Sequence, residues 1–515
     1  MTAFDRYFHG DHGAARVVMF EKSFLALLAL DTWMLMIGHA GRYGAGAFNV
    51  AHFAWLDAAL PVPTPAFYIG VLTLTGLLAL AILLAGHTRL ALAALVVLYT
   101  FSWSMSMLDS YQHHYFVSLV LVCLVFFPKV SATDVHPAAP APPAAGKLKP
   151  KKQRELDRMR ALETSGWMYV AALGGAVAMA VAIGPDQRPW LAFLMFAGAV
   201  AIATSLRPMV RAAGPALASG FGQPLLCATI GILYTFTAIA KMDAHWVAGH
   251  TMRAISKAES TYAGLAEFAV RLGFDREAFW SAFSTSVIPV ELAIACGYFL
   301  AAVQDRPELR RFRWLGVGAW ALAMSLHVGA EAMGLDIGWF SYYMMLLACV
   351  LLLPLGAVDR LATLWTWPAR ALSAGLADFA GENEKLRGPV TLALAAAVGV
   401  VFGMIGHMLD LPGTLTACGL AALAMFAAVV VLVVRGDAAA ARRWILASGG
   451  AAACMWLAIT IGPARYEYYR FLGGDLRRRG EPAAALEAYL KAERYAREGE
   501  SRADKIKELK QQLGK

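Results

Sequence analysis

Apolar runs of about 20 residues recur along most of the chain, and each is long enough to cross a hydrocarbon core as one helix. Short polar or basic segments separate these runs. The pattern predicts an all-α polytopic membrane protein with about 11–13 transmembrane helices. The apolar runs fall at about 17–37, 67–85, 90–108, 113–128, 166–184, 190–206, 223–240, 283–303, 314–331, 339–357, 389–408, 412–434 and 443–462.

Changes in composition divide the chain into five segments. Residues 1–128 and 166–357 are predicted to form a membrane core, interrupted by a Pro/Ala- and Lys/Arg-rich linker at 129–165. Additional transmembrane helices are predicted in 358–462, and a soluble helical tail in 463–515.

The tail has the residue spacing of one tetratricopeptide repeat, with small residues where two helices would cross and larger ones in the groove between them. A further helix is expected from Arg502 to Leu513. An ordinary charged amphipathic hairpin is the alternative. The residues that carry the pattern are Leu472, Gly473, Leu476, Gly480, Ala485, Tyr489 and Ala492.

Composition and charge exclude a soluble or disordered chain, because 59% of the residues are hydrophobic and only 16% are charged. The formal net charge of +9 indicates no nucleic-acid partner, since basic residues in short cytoplasmic loops are what membrane topology requires. The basic linker therefore predicts a multi-pass inner-membrane protein with a cytoplasmic N-terminus, which suits Arg16 and Lys22. Thirteen crossings would place the tail outside, and one missed or merged helix would reverse that side.

All six cysteines lie inside apolar runs, and no Cys-x-x-Cys pair occurs. We expect them to be small buried hydrophobic residues rather than disulfides or zinc ligands. We also expect no removable signal peptide, because the first apolar run has the character of a spanning helix. The cysteines are Cys123, Cys227, Cys296, Cys349, Cys418 and Cys454.

Lys241 directly follows the apolar run at about 223–240, and Asp243, His245 and Trp246 come within the next five residues. Such a lysine has two interpretations. Its ammonium can reach the headgroups as an anchor, or it can stay in an apolar pocket as a neutral amine and act as a general base. The predicted topology puts His113, His114, Lys241 and His327 at the outer ends of helices, so these groups can share one pocket.

Three segments, in this order along the chain, resemble vitamin K-dependent γ-glutamyl carboxylases, which belong to the wider HTTM (horizontally transferred transmembrane) family. Gln-His-His-Tyr at 112–115 resembles the family's Asn-His-Ser-Tyr. Ala-Lys-Met-Asp-Ala-His-Trp-Val at 240–247, with Gly249 and Met252, resembles its active-site segment. Ile-Gly-Trp-Phe-Ser-Tyr at 337–342 resembles Ile-Gly-Met-Phe-Ser-Tyr, with His327 upstream.

The resemblance covers roughly residues 20–354 and implies a lyase with oxygenase activity. Lys241 would deprotonate reduced vitamin K or menaquinol, whose oxygenation by O2 to the epoxide is coupled in the family to CO2 addition at a glutamate. His113, matched to the family's histidine, would donate a hydrogen bond to the developing quinone oxyanion. His327 would help to orient the quinone or to neutralise its charge. His114 points to another helix face and is expected to be interfacial.

The remaining expected site residues fall into two groups. Aromatic residues would line a quinone slot that opens to the bilayer, although Trp and Tyr at helix ends are also common interface anchors. They are Trp103, Tyr115, Tyr234, Trp246, Phe340 and Tyr343. Supporting roles fall to His114, Asp243, His245 and Glu291, the last because a carboxylate inside a span needs a partner. No metal is expected, since no His-x-x-His or Glu-x-x-His pair supports one.

The chain also departs from the family. Glu331 lies four residues after His327, the asparagine that follows the family's histidine is absent, and Gln112 replaces an asparagine. No large β-rich extracytoplasmic domain, which binds the propeptide in animal enzymes, follows the membrane core. Hydroquinone oxygenation is therefore better supported than peptide carboxylation, and a peptide or protein substrate would dock on the tail.

Two other functions remain open. One is a non-catalytic HTTM-fold scaffold or assembly factor that recruits a partner through its tail. The other is a transporter with an intramembrane Lys/His path, which no inverted repeat or paired broken helices favour.

Overall fold

The computed structural model describes residues 11–32, 65–85, 88–104, 112–129, 217–256, 260–305, 309, 312–333, 339–358, 361, 384–437, 440–441, 444–445, 448–449, 452, 456, 464–497 and 499–514, and the following account concerns these residues. They are predominantly helical. Two three-residue strands, β1 (Asp11–Gly13) and β2 (Leu217–Ser219), pair antiparallel with His12 opposite Ala218. The chain divides into unit 1, residues 1–24 and 126–366, and unit 2, residues 25–125 and 367–515.

Unit 1 contains the two strands and α1 (Ala14–Asp31) as far as Phe24. The longer of its other helices are α5 (Gly222–Ala240), α8 (Thr261–Arg271), α9 (Arg276–Ala301), α10 (Arg313–Ala332) and α11 (Phe340–Leu351). Two short helices, α6 (Ala244–Val247) and α7 (His250–Ile255), lie with α8 against α9.

Unit 2 combines an early and a late part of the chain. The early part holds α2 (Pro65–Ala85), α3 (Arg89–Ser104) and α4 (Gln112–Val125). The late part holds α12 (Glu384–Leu409), α13 (Thr414–Val434), α14 (Ala464–Arg478), α15 (Pro482–Arg494) and α16 (Ala503–Gln512).

Four helices within the described residues are long and apolar enough to cross a membrane: α5, α9, Gly388–Leu409 of α12, and α13. They support the expectation of a helical membrane protein. The predicted total of spans and their orientation stay predictions, and the runs at 166–184 and 190–206 lie outside the described residues.

Helix α9 begins earlier than expected, at Arg276 instead of about residue 283. The reason is local, because the Asp275 side chain caps the helix by accepting from the Ala278 backbone N–H at 2.7 Å. The segment between α5 and α9 is correspondingly shorter and contains three helices.

Helices α5 and α9 run antiparallel and approach closely. A Cβ added at Gly231 of α5 would lie 2.8 Å from the Phe299 ring of α9. Helix α9 also packs closely on α10, because a Cβ added at Gly297 of α9 would collide with the side chain of Ala319 of α10. Small residues at such crossings let membrane helices pack backbone to backbone, which fixes the register of the α5–α9 pair.

Arg16 is not the membrane-surface cation that the sequence suggests. Its guanidinium is completely buried and pairs with Asp305, with Nη2 2.9 Å from Oδ1 and Nε 3.0 Å from Oδ2. Nη1 also donates to the carbonyls of Val350 and Leu351 at the end of α11. Arg16 therefore ties the start of α1 to two other parts of unit 1 and carries no information about topology.

Within unit 2, the tail is attached to the turn between α12 and α13. The hydroxyls of Tyr469 and Tyr495 donate to the Asp410 carbonyl and carboxylate at 2.7 and 2.8 Å. Arg465 donates to the Met408 carbonyl at 3.3 Å and lies over the Tyr495 ring. These contacts hold the tail at the end of the α12–α13 hairpin.

The tail is a hairpin of α14 and α15 with α16 packed beside α15. Gly473 faces the Tyr489 ring, 3.0 Å from where its Cβ would lie, and Ala485 and Ala492 are completely buried. Small residues therefore occupy the helix crossing. The tetratricopeptide assignment stays a prediction.

Five cysteines lie in the described residues, and all are free thiols. Cys349 is half-buried, and the expectation of burial is wrong for Cys296, which is exposed on α9. It lies two residues from both Ile294 and Tyr298, which are buried, so it falls on the opposite side of the helix.

Candidate functional site

The C-terminal end of α5 places Lys241 beside a carboxylate in the neighbouring span. The Lys241 Nζ lies 2.8 and 3.0 Å from the two carboxylate oxygens of Glu291 on α9, and 3.5 Å from the Thr237 carbonyl. The Glu291 side chain is 6% exposed and that of Lys241 is 21% exposed. Lys241 is thus half-buried and paired with a carboxylate of the neighbouring helix.

The chain after Lys241 turns back over this pair. Asp243 caps α6 by accepting from the backbone N–H groups of His245 and Trp246 at 2.7 and 3.1 Å. The Trp246 ring centroid then lies 5.2 Å from the Lys241 Nζ, within reach of a cation–π interaction.

Two reciprocal hydrogen bonds fix Trp246 on α9. Its indole N–H donates to the Ser284 carbonyl at 2.9 Å, and the Ser284 hydroxyl donates to the Trp246 carbonyl at 2.6 Å. Gly249 follows with φ +81°, where a Cβ would come within 2.4 Å of the Trp280 backbone. The turn therefore needs glycine both for its left-handed backbone and for its contact with α9.

A second polar pair lies nearer the middle of α5. The hydroxyl of Tyr234, seven residues before Lys241, and the Nε2 of His327 on α10 share a 2.7 Å hydrogen bond, and both residues are buried. Seven residues correspond to about 10 Å along a helix. Phe340 packs edge-on against His327 with ring centroids 6.2 Å apart.

Tyr298 of α9 stacks on Tyr234 at 5.9 Å between ring centroids. Its hydroxyl is buried without a hydrogen-bond partner among the described residues. The Lys241–Glu291 and Tyr234–Tyr298 contacts follow the same antiparallel register, since both advance seven residues along their helices. One face of the α5–α9 pair thus carries both contacts.

In unit 2, the buried histidine is His114 and not the expected His113. His114 is 4% exposed, and its Nδ1 lies 2.9 Å from the Tyr99 hydroxyl of α3. The Trp103 ring stacks on His114 at 6.5 Å and 12°. The expectation of an interfacial His114 is wrong because α3 offers its aromatic side chains to that face of α4.

Ser118 and the other aromatic residues complete this cluster. The Trp103 indole N–H and the Thr100 hydroxyl both donate to the Ser118 hydroxyl, at 3.1 and 3.0 Å. His113 is half-buried next to His114, and Tyr115 is exposed but packs against Trp103 at 4.3 Å. Since His113 belongs to unit 2 and Lys241 to unit 1, a shared pocket stays a prediction.

Three expected site residues have contacts elsewhere instead. Asp243 is the α6 cap, and His245 is exposed with its ring 6.2 Å from that of His250. Tyr343 is completely buried and packs against Phe24. Unit 1 therefore brings together Lys241, Glu291, Trp246, Tyr234, His327 and Phe340.

Sequence reasoning missed Tyr298, Ser284 and Tyr99. A usable signal existed for Tyr298, because it lies seven residues after Glu291 just as Tyr234 lies seven before Lys241. Tyr99 lies four residues before Trp103, on the same face of α3. Among the described residues, no three His, Cys, Asp or Glu side chains come together to hold a metal ion.

Comparisons with known proteins give no match from which a role for these residues could be taken. No protein-family model matches the chain, and no curated protein or solved structure matches it significantly. The resemblance to vitamin K-dependent carboxylases rests on the three sequence segments, and the activity that it implies is a proposal.

Proposed function

We propose that the chain is an integral membrane enzyme of the vitamin K-dependent carboxylase type that oxygenates a lipid-borne hydroquinone. The observation that carries this proposal is the Lys241–Glu291 pair at the end of span α5, with the Trp246 ring beside it. An ionisable pair on a predominantly apolar helix pair is costly and is typical of a functional site.

Glu291 allows Lys241 to become a base without leaving an isolated charge in the membrane. If the ammonium gives one proton to the carboxylate, an amine and a carboxylic acid remain in place of two desolvated ions. The amine then takes the proton of a phenolic hydroxyl and becomes an ammonium beside the new phenolate. A positive group at that position stabilises the developing negative charge.

Other residues of unit 1 would exclude water from the site and orient the ligand. Trp246, fixed by Ser284, would exclude water and supply an apolar wall, while the Tyr234–His327 pair would orient the inner part of the ligand. Reduced vitamin K or menaquinol would, with O2, supply the strong base that CO2 addition at a glutamate requires.

The test is hydroquinone epoxidation by the purified full-length protein in lipid nanodiscs, with menaquinol and O2 as substrates. Lys241→Ala should lower the rate by about 10²–10⁴-fold, the usual contribution of a general base. Lys241→Arg should be equally impaired, because a guanidinium keeps its charge but does not give up its proton in proteins.

Lys22→Ala is the matched control, because Lys22 has a similar exposure of 24% and also lies beside a glutamate, Glu21, at 3.3 Å. It should retain wild-type epoxidation. Equal rates in wild type and Lys241→Ala would exclude the proposed base, and an inactive wild type would favour a non-catalytic function.

A second candidate function is a membrane scaffold, favoured by the attachment of the tail to Asp410. The double variant Tyr469→Phe, Tyr495→Phe removes both hydroxyls and should release the tail in the full-length chain. If the tail docks a peptide for an enzyme, peptide carboxylation should fall while epoxidation is unchanged. If the protein is a scaffold, neither reaction should occur in wild type.

A further inference from the structure

The segment between spans α5 and α9 carries an apolar surface that the proposed chemistry does not use. Helix α8 has 11 residues and is too short to cross a bilayer. The Ser260 hydroxyl caps its start by accepting from the Ala263 N–H at 3.2 Å, and Gly273 with φ +90° follows its end. Since it lies between the end of one candidate span and the start of the next, α8 is positioned at a membrane face.

One side of α8 packs on unit 1. Ala266 is buried there, and the Tyr262 ring lies 4.7 Å from the Phe283 ring of α9. Both belong to an apolar cluster that also includes Trp280 and Trp246. The helix is therefore attached to the protein by a complete apolar face and does not need its remaining side chains for this purpose.

The other side of α8 is apolar as well, and it is exposed. Leu265, Phe268 and Leu272 follow one another at helical spacing and form a stripe, which Phe274 extends past the helix end. All four are exposed. In water such a stripe would be an aggregation risk, so an apolar medium or a partner must cover it.

The charged residues lie beside this stripe and not opposite it. Glu267 and Arg271 occupy one flank of α8, and Glu267 pairs with Arg276 at 2.8 Å. A helix that combines an exposed apolar stripe with a narrow charged flank is typical of segments that lie at the boundary between headgroups and acyl chains. Arg271 and Arg276 are suited to anionic headgroups.

Exposed apolar residues on α5, the candidate span that precedes this segment, indicate that the occupant is lipid. Ile232, Phe236 and Ile239 are exposed along that span, and Met242 continues the exposed apolar surface just past its end. Exposed apolar side chains on a spanning helix face acyl chains. The α8 stripe continues the same kind of surface in the segment that follows this span.

We propose that α8 and the turn after it form an interfacial anchor, with Leu265, Phe268, Leu272 and Phe274 inserted among acyl chains. The flank of Glu267, Arg271 and Arg276 would lie at headgroup level. Through Tyr262 and the cluster that contains Trp246, the anchor would fix the depth of the Lys241–Glu291 pair relative to the bilayer surface. The anchor does not depend on which reaction the site performs.

The test compares two adjacent positions of almost equal exposure, Phe268 at 58% and the side chain of Glu267 at 52%. Phe268→Cys and Glu267→Cys, each in the full-length chain without its native cysteines, are labelled with a nitroxide and reconstituted into nanodiscs of phosphatidylcholine and phosphatidylglycerol. Spin relaxation by O2 reports lipid, and relaxation by a water-soluble nickel chelate reports water.

At position 268, O2 should be several-fold more effective than nickel, and at position 267 nickel should be the more effective. Strong relaxation by nickel at both positions would overturn the proposal, since α8 would then be in water. Protection of position 268 from both reagents would also overturn it, because a protein would then cover the stripe.

A second measurement keeps the native cysteines, in case their removal unfolds the chain. A photoreactive benzoylphenylalanine is placed at position 268 or, as the control, at position 267 and is irradiated in the same nanodiscs. Mass spectrometry should find phospholipid adducts at 268 and few at 267. Adducts to peptides of a second copy at 268 would assign the stripe to a protein interface instead.

Discussion

Two ion pairs of unit 1 have almost the same length and very different surroundings. Arg16 and Asp305 lie 2.9 Å apart with side chains that are 0% and 4% exposed. Lys241 and Glu291 lie 2.8 Å apart, but the lysine side chain is 21% exposed. Distance alone does not distinguish them, whereas burial and the chemistry of the cation do.

The Arg16 pair is extensively hydrogen-bonded within the protein. Arg16 donates to Asp305 and to two α11 carbonyls, and the same carboxylate also accepts from the Gly13 backbone N–H at 3.2 Å. Guanidinium remains protonated in proteins, so this pair cannot exchange a proton. It connects three parts of the chain.

The Lys241 pair, in contrast, can give up a proton. Beyond the Glu291 oxygens, the contacts of the Lys241 Nζ with the described residues are a long 3.5 Å contact with the Thr237 carbonyl and the face of Trp246. An ammonium group has three N–H donors and can lose one proton. The difference teaches that, of these two pairs, only the Lys241 pair contains a cation that can give up a proton.

The largest expected effect comes from Arg16→Met. We expect the free energy of unfolding to fall by about 3–5 kcal/mol, because Asp305 remains buried without its cation. Thermal unfolding of the full-length protein in detergent measures the loss. The double variant Arg16→Met, Asp305→Leu should recover most of it, and a double variant as unstable as the single one would contradict this explanation.

Lys241→Met should destabilise less, by about 1–3 kcal/mol, the cost of leaving a buried acceptor unsatisfied. The cost is smaller than for Arg16 because Glu291 can bind a proton once its partner is gone. The same unfolding measurement applies, and Glu291→Gln added to Lys241→Met should restore part of the stability. A loss as large as that of Arg16→Met would remove the distinction between the two pairs.

Gly249→Ala tests the surroundings of the Lys241 pair without changing a charged residue. A side chain at φ +81° costs about 1–2 kcal/mol, and its Cβ would also collide with the Trp280 backbone. Gly273→Ala is the matched control, since it has φ +90° and open space around it. Gly249→Ala should be the less stable in thermal unfolding, and it alone should lower epoxidation by displacing Trp246.

Part of this arrangement could be predicted from the sequence. Helix α5 and the position of Lys241 at its end follow from the apolar run, and Glu291 stands out as a carboxylate within another run. That these two pair with each other could not be predicted, because 50 residues separate them and only the register of α5 on α9 brings them together.

The other wrong predictions concern which face of a helix a residue lies on and whether that residue is buried. His113 and His114 are adjacent, and only the packing of Tyr99 on α4 decides that His114 is the buried one. Arg16 follows a polar N-terminal stretch, as surface cations do, but its partner Asp305 lies 289 residues away. Contacts at such separations are set by tertiary packing, which periodicity does not report.

The smallest expected effect comes from a third pair, Arg276 and Glu267, whose 2.8 Å distance equals that of Lys241 and Glu291. Their side chains are 43% and 52% exposed, so solvent screens their attraction and the charges lose little hydration. Glu267→Gln should change the free energy of unfolding by less than about 1 kcal/mol. The difference from wild type should shrink further as salt is added, because exposed charges are screened by ions. Thermal unfolding at low and high ionic strength measures both effects. A loss approaching that of Arg16→Met would show that distance, and not burial, determines the strength of these pairs.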